Sequence, residues 1–392
     1  MKKLKATSNG IYNINIFLIL VITLLLSACN SKNSSNKNQI SNTNGEKTSV
    51  FEDTSNENPD KLKHVEQILV APPALPDHNQ VATGNPVVVE VRLVVKEEKL
   101  QIASDATIWA LTYNGSVPGP MIVVHQNDYV EVTLVNPSSN SLTHNIDFHA
   151  ATGEHGGGKF SLVSPGEEVT FRFKAIKPGV FVYHCAPGGI MVPLHVVSGM
   201  NGAIMVLPRE GLKDENGNFV NYNKAFYIAE QDYYVPKDKD GNYKEYETPG
   251  DGFGDMMGVL KTLTPSHIVF NGAVGSLTGS NALSVNVGDK VLFITSEANR
   301  DTRIHIIGGH ADLLWLGGSF SNKPVTNYES WSVVGGSAVA MIYKFRNPGT
   351  YVYLDHNLIN AFLFGANAEI NVEGDNNDDL MKQISKPNKI KD

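Results

Sequence analysis

The chain repeats itself, and the repeat limits what it can fold into. Pro178-Gly179-Val180-Phe181-Val182-Tyr183 is echoed by Pro348-Gly349-Thr350-Tyr351-Val352-Tyr353. Tyr113-Asn114-Gly115 begins one block and Phe270-Asn271-Gly272 begins the other. Asn127-Asp128 before Tyr129-Val130-Glu131-Val132 matches Gly288-Asp289 before Lys290-Val291-Leu292-Phe293. Short alternating strands punctuated by Gly, Pro and Asn are the mark of a β-sandwich. The blocks predict two tandem sandwiches, at residues 65–208 and 209–373, the strands of the second starting near Ala225. A chain of 392 residues has the bulk for two cores. Residues 234–264 are polar and Gly-rich and read as a long excursion with one helical turn near 256–260, followed at the far end by a tail, 374–392. A loop of that length inside a domain is usually functional or an interaction element.

The net charge of −8 argues against nucleic acid as a partner. Two cysteines, Cys29 and Cys185, give no disulfide framework. Lys2, Lys3 and Lys5 precede an apolar run at 16–26 that has signal-peptide length and is short for a bilayer span. Leu26-Ser27-Ala28-Cys29 resembles a bacterial lipobox, in which the cysteine is lipidated and begins the mature chain. An ordinary secretory signal cleaved nearby is the alternative. Either reading predicts export to the periplasm or cell envelope, and the first adds a lipid anchor at Cys29. Residues 1–29 are then the signal, and the Ser/Asn/Lys-rich stretch within 30–64 is a disordered tether.

The chemistry concentrates in one loop. Nine residues separate Cys185 from His195, and four separate His195 from Met200. A thiolate, an imidazole and a thioether on one short loop are the ligands of a blue-copper-type site. A second histidine must come from elsewhere, and His144-Asn145-Ile146-Asp147-Phe148-His149 can supply it.

Strand parity sorts these residues into two groups. Phe181-Val182-Tyr183-His184-Cys185 reads as a strand, so His184 and Cys185 point to opposite faces. His144 and His149 are five apart, and on a regular strand they also face apart. His144, Cys185, His195 and Met200 form one metal site. His149 and His184, with Asp147 on their face, resemble part of a second, one histidine short. Adjacent residues on two metals would also give electrons a short covalent path. In the second block Asp355 stands where Cys185 stands in the first, so no second blue-copper site is possible there. That block keeps His305 and His356, and so offers a candidate for the missing ligand.

At this point the residues resemble a known family, the copper-containing nitrite reductases, over nearly everything from Ile68 to Lys386. The resemblance rests on the run from His144 to Gly153, on Tyr183-His184-Cys185-Ala186-Pro187, on Asn299-Arg300-Asp301-Thr302-Arg303 and on His356-Asn357-Leu358-Ile359. It implies an all-β fold of two tandem cupredoxin-like Greek-key β-sandwiches and a homotrimer with two coppers per subunit. His144, Cys185, His195 and Met200 correspond to the electron-accepting type 1 copper. His149 and His184 correspond to ligands of type 2 copper, with His356 coming from the neighbouring subunit. Asp147 and His305 match the proton-delivering pair, and Ile307 matches the apolar residue that caps the substrate pocket. The implied reaction reduces nitrite to nitric oxide and water, the electron passing from type 1 to type 2 copper. The sequence departs from the family at Leu194, where tryptophan is commonest, and the loop at 186–191 is one residue longer than the commonest form.

Two other functions compete with this one. A multicopper oxidase needs about eight histidines, mostly in His-x-His pairs, and this chain has no such pair. An electron-carrier cupredoxin has no use for Asp147, His149, His305 and His356. The absence of Cys-x-x-Cys-His and of a third sandwich implies an external electron-donor protein, a cupredoxin or a c-type cytochrome. His125 and His267 read as structural histidines. His310, Glu297 and Asn299 are left without an assigned role.

Overall fold

The computed structural model describes residues 58–390. Cys29, the signal segment and the tether as far as residue 57 lie outside the described residues. The first sandwich is built from β1 (His64–Glu66), β2 (Val88–Ala103), β3 (Ala106–Tyr113), β4 (Ile122–His125), β5 (Tyr129–Asn136), β6 (Asp147–Phe148), β7 (Glu167–Lys174), β8 (Gly179–His184) and β9 (Asn201–Leu207), with the short helix α1 (Met191–Val197) before β9. One sheet runs β1-β2-β5-β7, with β3 also on β2, and the other runs β4-β9-β8-β6. The alternation along β5 is complete: Val130, Val132, Leu134 and Asn136 point inward and the residues between them do not. That period of two is what commits the segment to a half-buried strand.

The second sandwich comprises β10 (Lys224–Tyr233), β11 (His267–Phe270), β12 (Leu283–Asn286), β13 (Lys290–Glu297), β14 (Thr302–Ile307), β15 (Ala311–Trp315), β16 (Val325–Tyr328), β17 (Ser330–Val333), β18 (Ser337–Lys344), β19 (Gly349–Asp355) and β20 (Asn367–Glu373). Its sheets run β11-β10-β13-β18-β15-β16 and β12-β20-β19-β14-β17. The repeat extends to the pairing. β2 lies parallel to β5 as β10 lies parallel to β13, and β8 lies antiparallel to β9 as β19 lies antiparallel to β20. Crossovers of this kind make both units Greek keys.

Four apolar clusters are buried among the described residues, the smallest of them (Ile102, Ala106, Tyr233, Val235 and Val269) joining β2 and β3 to β10 and β11. Each sandwich has its own core, and a third joins them: Val180, Val182, Ala203 and Met205 of the first pack with Tyr227, Leu292, Ile294, Ala340 and Ile342 of the second. At about 1.5–3 kcal/mol for each large buried side chain, this joint locks the two units together. It also sets the faces of β8. Val180 and Val182 look toward the second sandwich, whereas Tyr183 and Cys185 belong to the first core with Phe181 packed against it. His184 falls on the joint-facing side by parity.

Three local features differ from the sequence reading. His144 and His149 do not share a regular strand: only Asp147–Phe148 is extended, and His144 makes an isolated bridge to Val163. The helix in the excursion spans Phe253–Leu260 (α2), starting earlier than 256–260, because Phe253 has an apolar surface to pack on. The helix α1, which carries His195, was not anticipated. Pro193 stands in its first turn, where the missing N–H costs no helical bond.

Candidate metal centres

Cys185 directly follows β8, with its side chain fully buried. Its Sγ lies 3.3 Å from His195 Nδ1 and 3.9 Å from His144 Nδ1, and His144 Nδ1 lies 3.1 Å from Met200 Sδ. Four elements converge to do this: the His144 bridge, the end of β8, α1, and the turn into β9. The backbone ties them together, with Cys185 N–H donating to Met200 O (3.1 Å) and Met200 N–H to His195 O (3.1 Å). Asn145 fastens the loop that follows. Its Oδ1 accepts from Ala186 N–H (2.7 Å), and its amide donates to Ala186 O and Gly158 O.

The electrostatics of this pocket suit a soft cation. Burial pushes the Cys185 thiol up to about 12, and burial followed by the neighbouring His144 depresses His195 to about 3. Without a cation the thiol keeps its proton at neutral pH and His195 stays neutral. A metal's charge is what would draw the thiolate out. Two imidazole nitrogens, a thiol and a thioether turned on one another match the donor set of copper. The ring of His195 is covered by Phe253 of α2, centroids 6.0 Å apart, so the excursion from the second sandwich forms a wall of this site. Leu194 is buried beside it.

One residue of this centre escaped the sequence reading. Glu97 Oε1 accepts from His144 Nε2 at 3.0 Å, with both side chains almost wholly buried. Burial works to raise the Glu97 carboxyl. Hydrogen bonds from His144, the Ser141 hydroxyl and the Ser141 and Leu142 amides outweigh it and leave the group below the usual carboxylate range. A signal existed: Val91, Leu93 and Val95 alternate inward along β2, and Glu97 takes the next inward position. A carboxylate on a buried face must have partners.

The second group lies on the opposite side of β8. Asp147 pairs with His184 in the β6–β8 register, and Phe148 pairs with Tyr183 in the core. His149 Nε2 and His184 Nε2 stand 3.1 Å apart with rings nearly perpendicular, and Asp147 offers an oxygen within 4.8 Å of both. His184 Nδ1 donates to Cys185 O at 3.1 Å, which turns Nε2 toward His149. Burial, then His184, lowers the pKa of His149, and its backbone partner is Gly336 of the second sandwich. A neutral imidazole is the form that ligates. Gly156, at φ 61°, packs so closely on Asp147 that any Cβ there would overlap the carboxylate.

The remaining candidates form a third place. His305 and His356 meet edge to face with centroids 5.2 Å apart, and His305 Nδ1–H donates to Glu329 O at 2.8 Å. Ile307, two residues along β14, is 42% exposed. Within one chain, His356 is not among the residues gathered with Asp147, His149 and His184. His267 is buried against Tyr243, and His125 is half-buried beside Asp128. Glu297 lies buried between Asp232 and Glu230, not among the second group's ligands.

Comparison with known proteins agrees with this geometry. Residues 94–211 and 224–376 match two family models, both described as multicopper oxidase. The chain is 56% identical over 330 residues to a copper-containing nitrite reductase of Pseudomonas chlororaphis, covering 84% of this chain and 91% of that protein. It is 55% identical to the one from Alcaligenes xylosoxydans xylosoxydans, covering 83% of this chain and 99% of that protein. A solved copper nitrite reductase from Nitrosomonas europaea superposes with a TM-score of 0.59 at 27% identity, covering 74% of this chain and 95% of that one. The two sandwiches are therefore cupredoxin domains, and the chain belongs to the family of copper-containing nitrite reductases.

Proposed function

We propose that this protein reduces nitrite to nitric oxide and water, one electron and two protons at a time, with two coppers per subunit. His144, Cys185, His195 and Met200 would hold the type 1 copper. His149 and His184 would hold the type 2 copper together with the partner subunit's His356. Copper supplies the one-electron couple and, where three imidazoles bind it, an open position for a small anion.

The observation that carries this reading is the pair His184–Cys185. Adjacent residues deliver their side chains to two separate ligand groups, joined by a few covalent bonds and by the His184 Nδ1–H bond to Cys185 O. An electron carrier needs only the first group. Asp147, which lies on the same face as His184, would hold a proton near a bound anion. His305, with Nδ1 donating to Glu329 O, keeps Nε2 free to pass a proton on. The oxygen that leaves nitrite as water must be protonated, and a carboxyl and an imidazole are the usual donors. Ile307 would close the pocket from the same face of β14 as His305.

Three further parts belong to the proposal. A homotrimer is supported by the incompleteness of the second ligand group and by Leu358, Ile359, Phe362 and Leu363, which follow His356 and are each about half or more exposed on one chain. An external electron-donor protein, a cupredoxin or a c-type cytochrome, would reduce the first site. Export with lipidation at Cys29 would tether the protein in the periplasm or cell envelope. Membrane fractionation of Cys29→Ala tests the anchor alone.

The central test is nitrite turnover to nitric oxide with a copper count on the same sample. Two coppers per chain and nitric oxide release are expected. One copper per chain without turnover would make the protein a carrier. Sedimentation of a fully active monomer would sink the shared site.

A further inference from the structure

We propose that Glu97 is a positioning residue for the first site: it fixes the tautomer of His144 and, through its negative charge, lowers the reduction potential of the copper there. The inference rests on the assignment of His144 to that site. It concerns a residue outside the four ligands.

Four donors converge on this carboxylate. Oε1 accepts from His144 Nε2 (3.0 Å) and Leu142 N–H (2.8 Å), and Oε2 accepts from Ser141 N–H (2.8 Å) and Ser141 Oγ (2.7 Å). Each oxygen accepts from a backbone N–H, which can only donate, and has a side-chain partner besides. The group is therefore an anion, sealed at 3% exposure against a fully buried imidazole. With Nε2–H committed to Glu97, His144 Nδ1 is the bare nitrogen, and it is the atom that faces Met200 Sδ and Cys185 Sγ. A histidine fixed by a carboxylate on its far nitrogen is also the more basic ligand.

The charge matters as much as the tautomer. A backbone carbonyl would orient the ring equally well. A carboxylate adds a full negative charge to a pocket with little water to screen it. That charge favours the oxidised metal, which carries one more positive charge, over the reduced metal. Glu97 and the sandwich that bears it thus bias how readily the first site gives its electron away. Ser141 and Leu142, three and two residues before His144, hold the carboxylate from the same segment that carries the ligand.

Glu97→Gln keeps the shape and removes the charge. In the copper-loaded protein its type 1 potential should rise by the equivalent of roughly tenfold in the oxidised-to-reduced affinity ratio, about 59 mV. Glu97→Asp, which restores the charge, should recover part of the shift. Glu98→Gln, the same change on the neighbouring side chain, should leave the potential in place. In copper-free wild-type protein, where no metal fixes the ring, nitrogen NMR should find the His144 proton on Nε2. An unchanged potential in Glu97→Gln, an equal rise in Glu98→Gln, or a proton on Nδ1 overturns the proposal. If Glu97→Gln fails to hold copper, the NMR result on the wild type decides. Loss of visible absorption in Cys185→Ala tests the copper assignment itself, so the two failures are separable.

Discussion

The two sandwiches end their matching strands in the same way and do different chemistry with them. Cys185 follows β8 and Asp355 closes β19, and both are fully buried. Each backbone N–H donates across to a following segment at 3.1 Å, Cys185 to Met200 O and Asp355 to Ala366 O. From there they diverge. Cys185 meets two imidazoles, one of which also meets the Met200 thioether. Asp355 Oδ1 accepts from Asn357 N–H (2.9 Å) and Oδ2 accepts from Asn360 Nδ2 (2.6 Å), bracing the turn that presents His356. One copy of the fold turned the strand end into a ligand; the other turned it into a scaffold for a ligand. The backbone provides a buried, well-anchored position, and the side chain placed there decides its use.

The largest effect should come from erasing that difference. Cys185→Asp gives the first sandwich the residue of the second. Visible absorption should fall to baseline and nitrite turnover should be lost, while copper at the second site remains. Surviving colour would mean that Cys185 is not the sulfur ligand.

Next come the two acid–base candidates, one from each sandwich. Asp147→Asn and His305→Asn should each lower nitrite turnover ~10²–10⁴-fold and alter its pH profile. Reduction of the first site by an electron donor should proceed as before. Near-normal turnover in both, with the second copper present, would leave the proton supply to other groups.

Asp355→Ala probes the scaffold. It strands the buried Asn360 amide, at about 1–3 kcal/mol, while the Asn357 N–H, on an exposed residue, can turn to water. Thermal unfolding should shift down, and copper at the second site should fall while the visible band of the first site is kept. A variant that keeps both its stability and its second copper would show that Asp355 does not brace His356.

The smallest effect concerns buried charge. Glu297 is raised well above its usual value by burial first and then by Asp232 and Glu230, and its Oε2 has no partner. The native state therefore binds the proton more tightly than the unfolded chain, and this group's contribution to stability falls as pH rises above about 4.5, its ordinary value. Glu297→Gln should flatten the decline of unfolding free energy as pH rises above the ordinary carboxylate range. An unchanged slope would place the proton elsewhere in the trio.

Much of the fold was legible because a sandwich strand must alternate. Val130, Val132 and Leu134 declare an inward face without any knowledge of what they touch. Parity of the same kind separated His184 from Cys185. Glu97 was missed although it continues the inward series Val91, Leu93, Val95, because alternation says that a residue is buried and not what it meets. Met191–Val197 was not read as a helix because seven residues are too few to show a period.

The sequence by itself determined the two-copy architecture, the order of candidate ligands and the face each strand residue takes, since all three follow from local periodicity and spacing. Only the tertiary structure decided that Phe253, from the far end of the excursion, walls the pocket of His195, and that Gly336 of the second sandwich is the backbone partner of His149. It also decided that Glu97 anchors His144 across 47 positions of chain. These contacts join segments far apart in sequence, and nothing local encodes them: they exist because two packed sandwiches share a third apolar core.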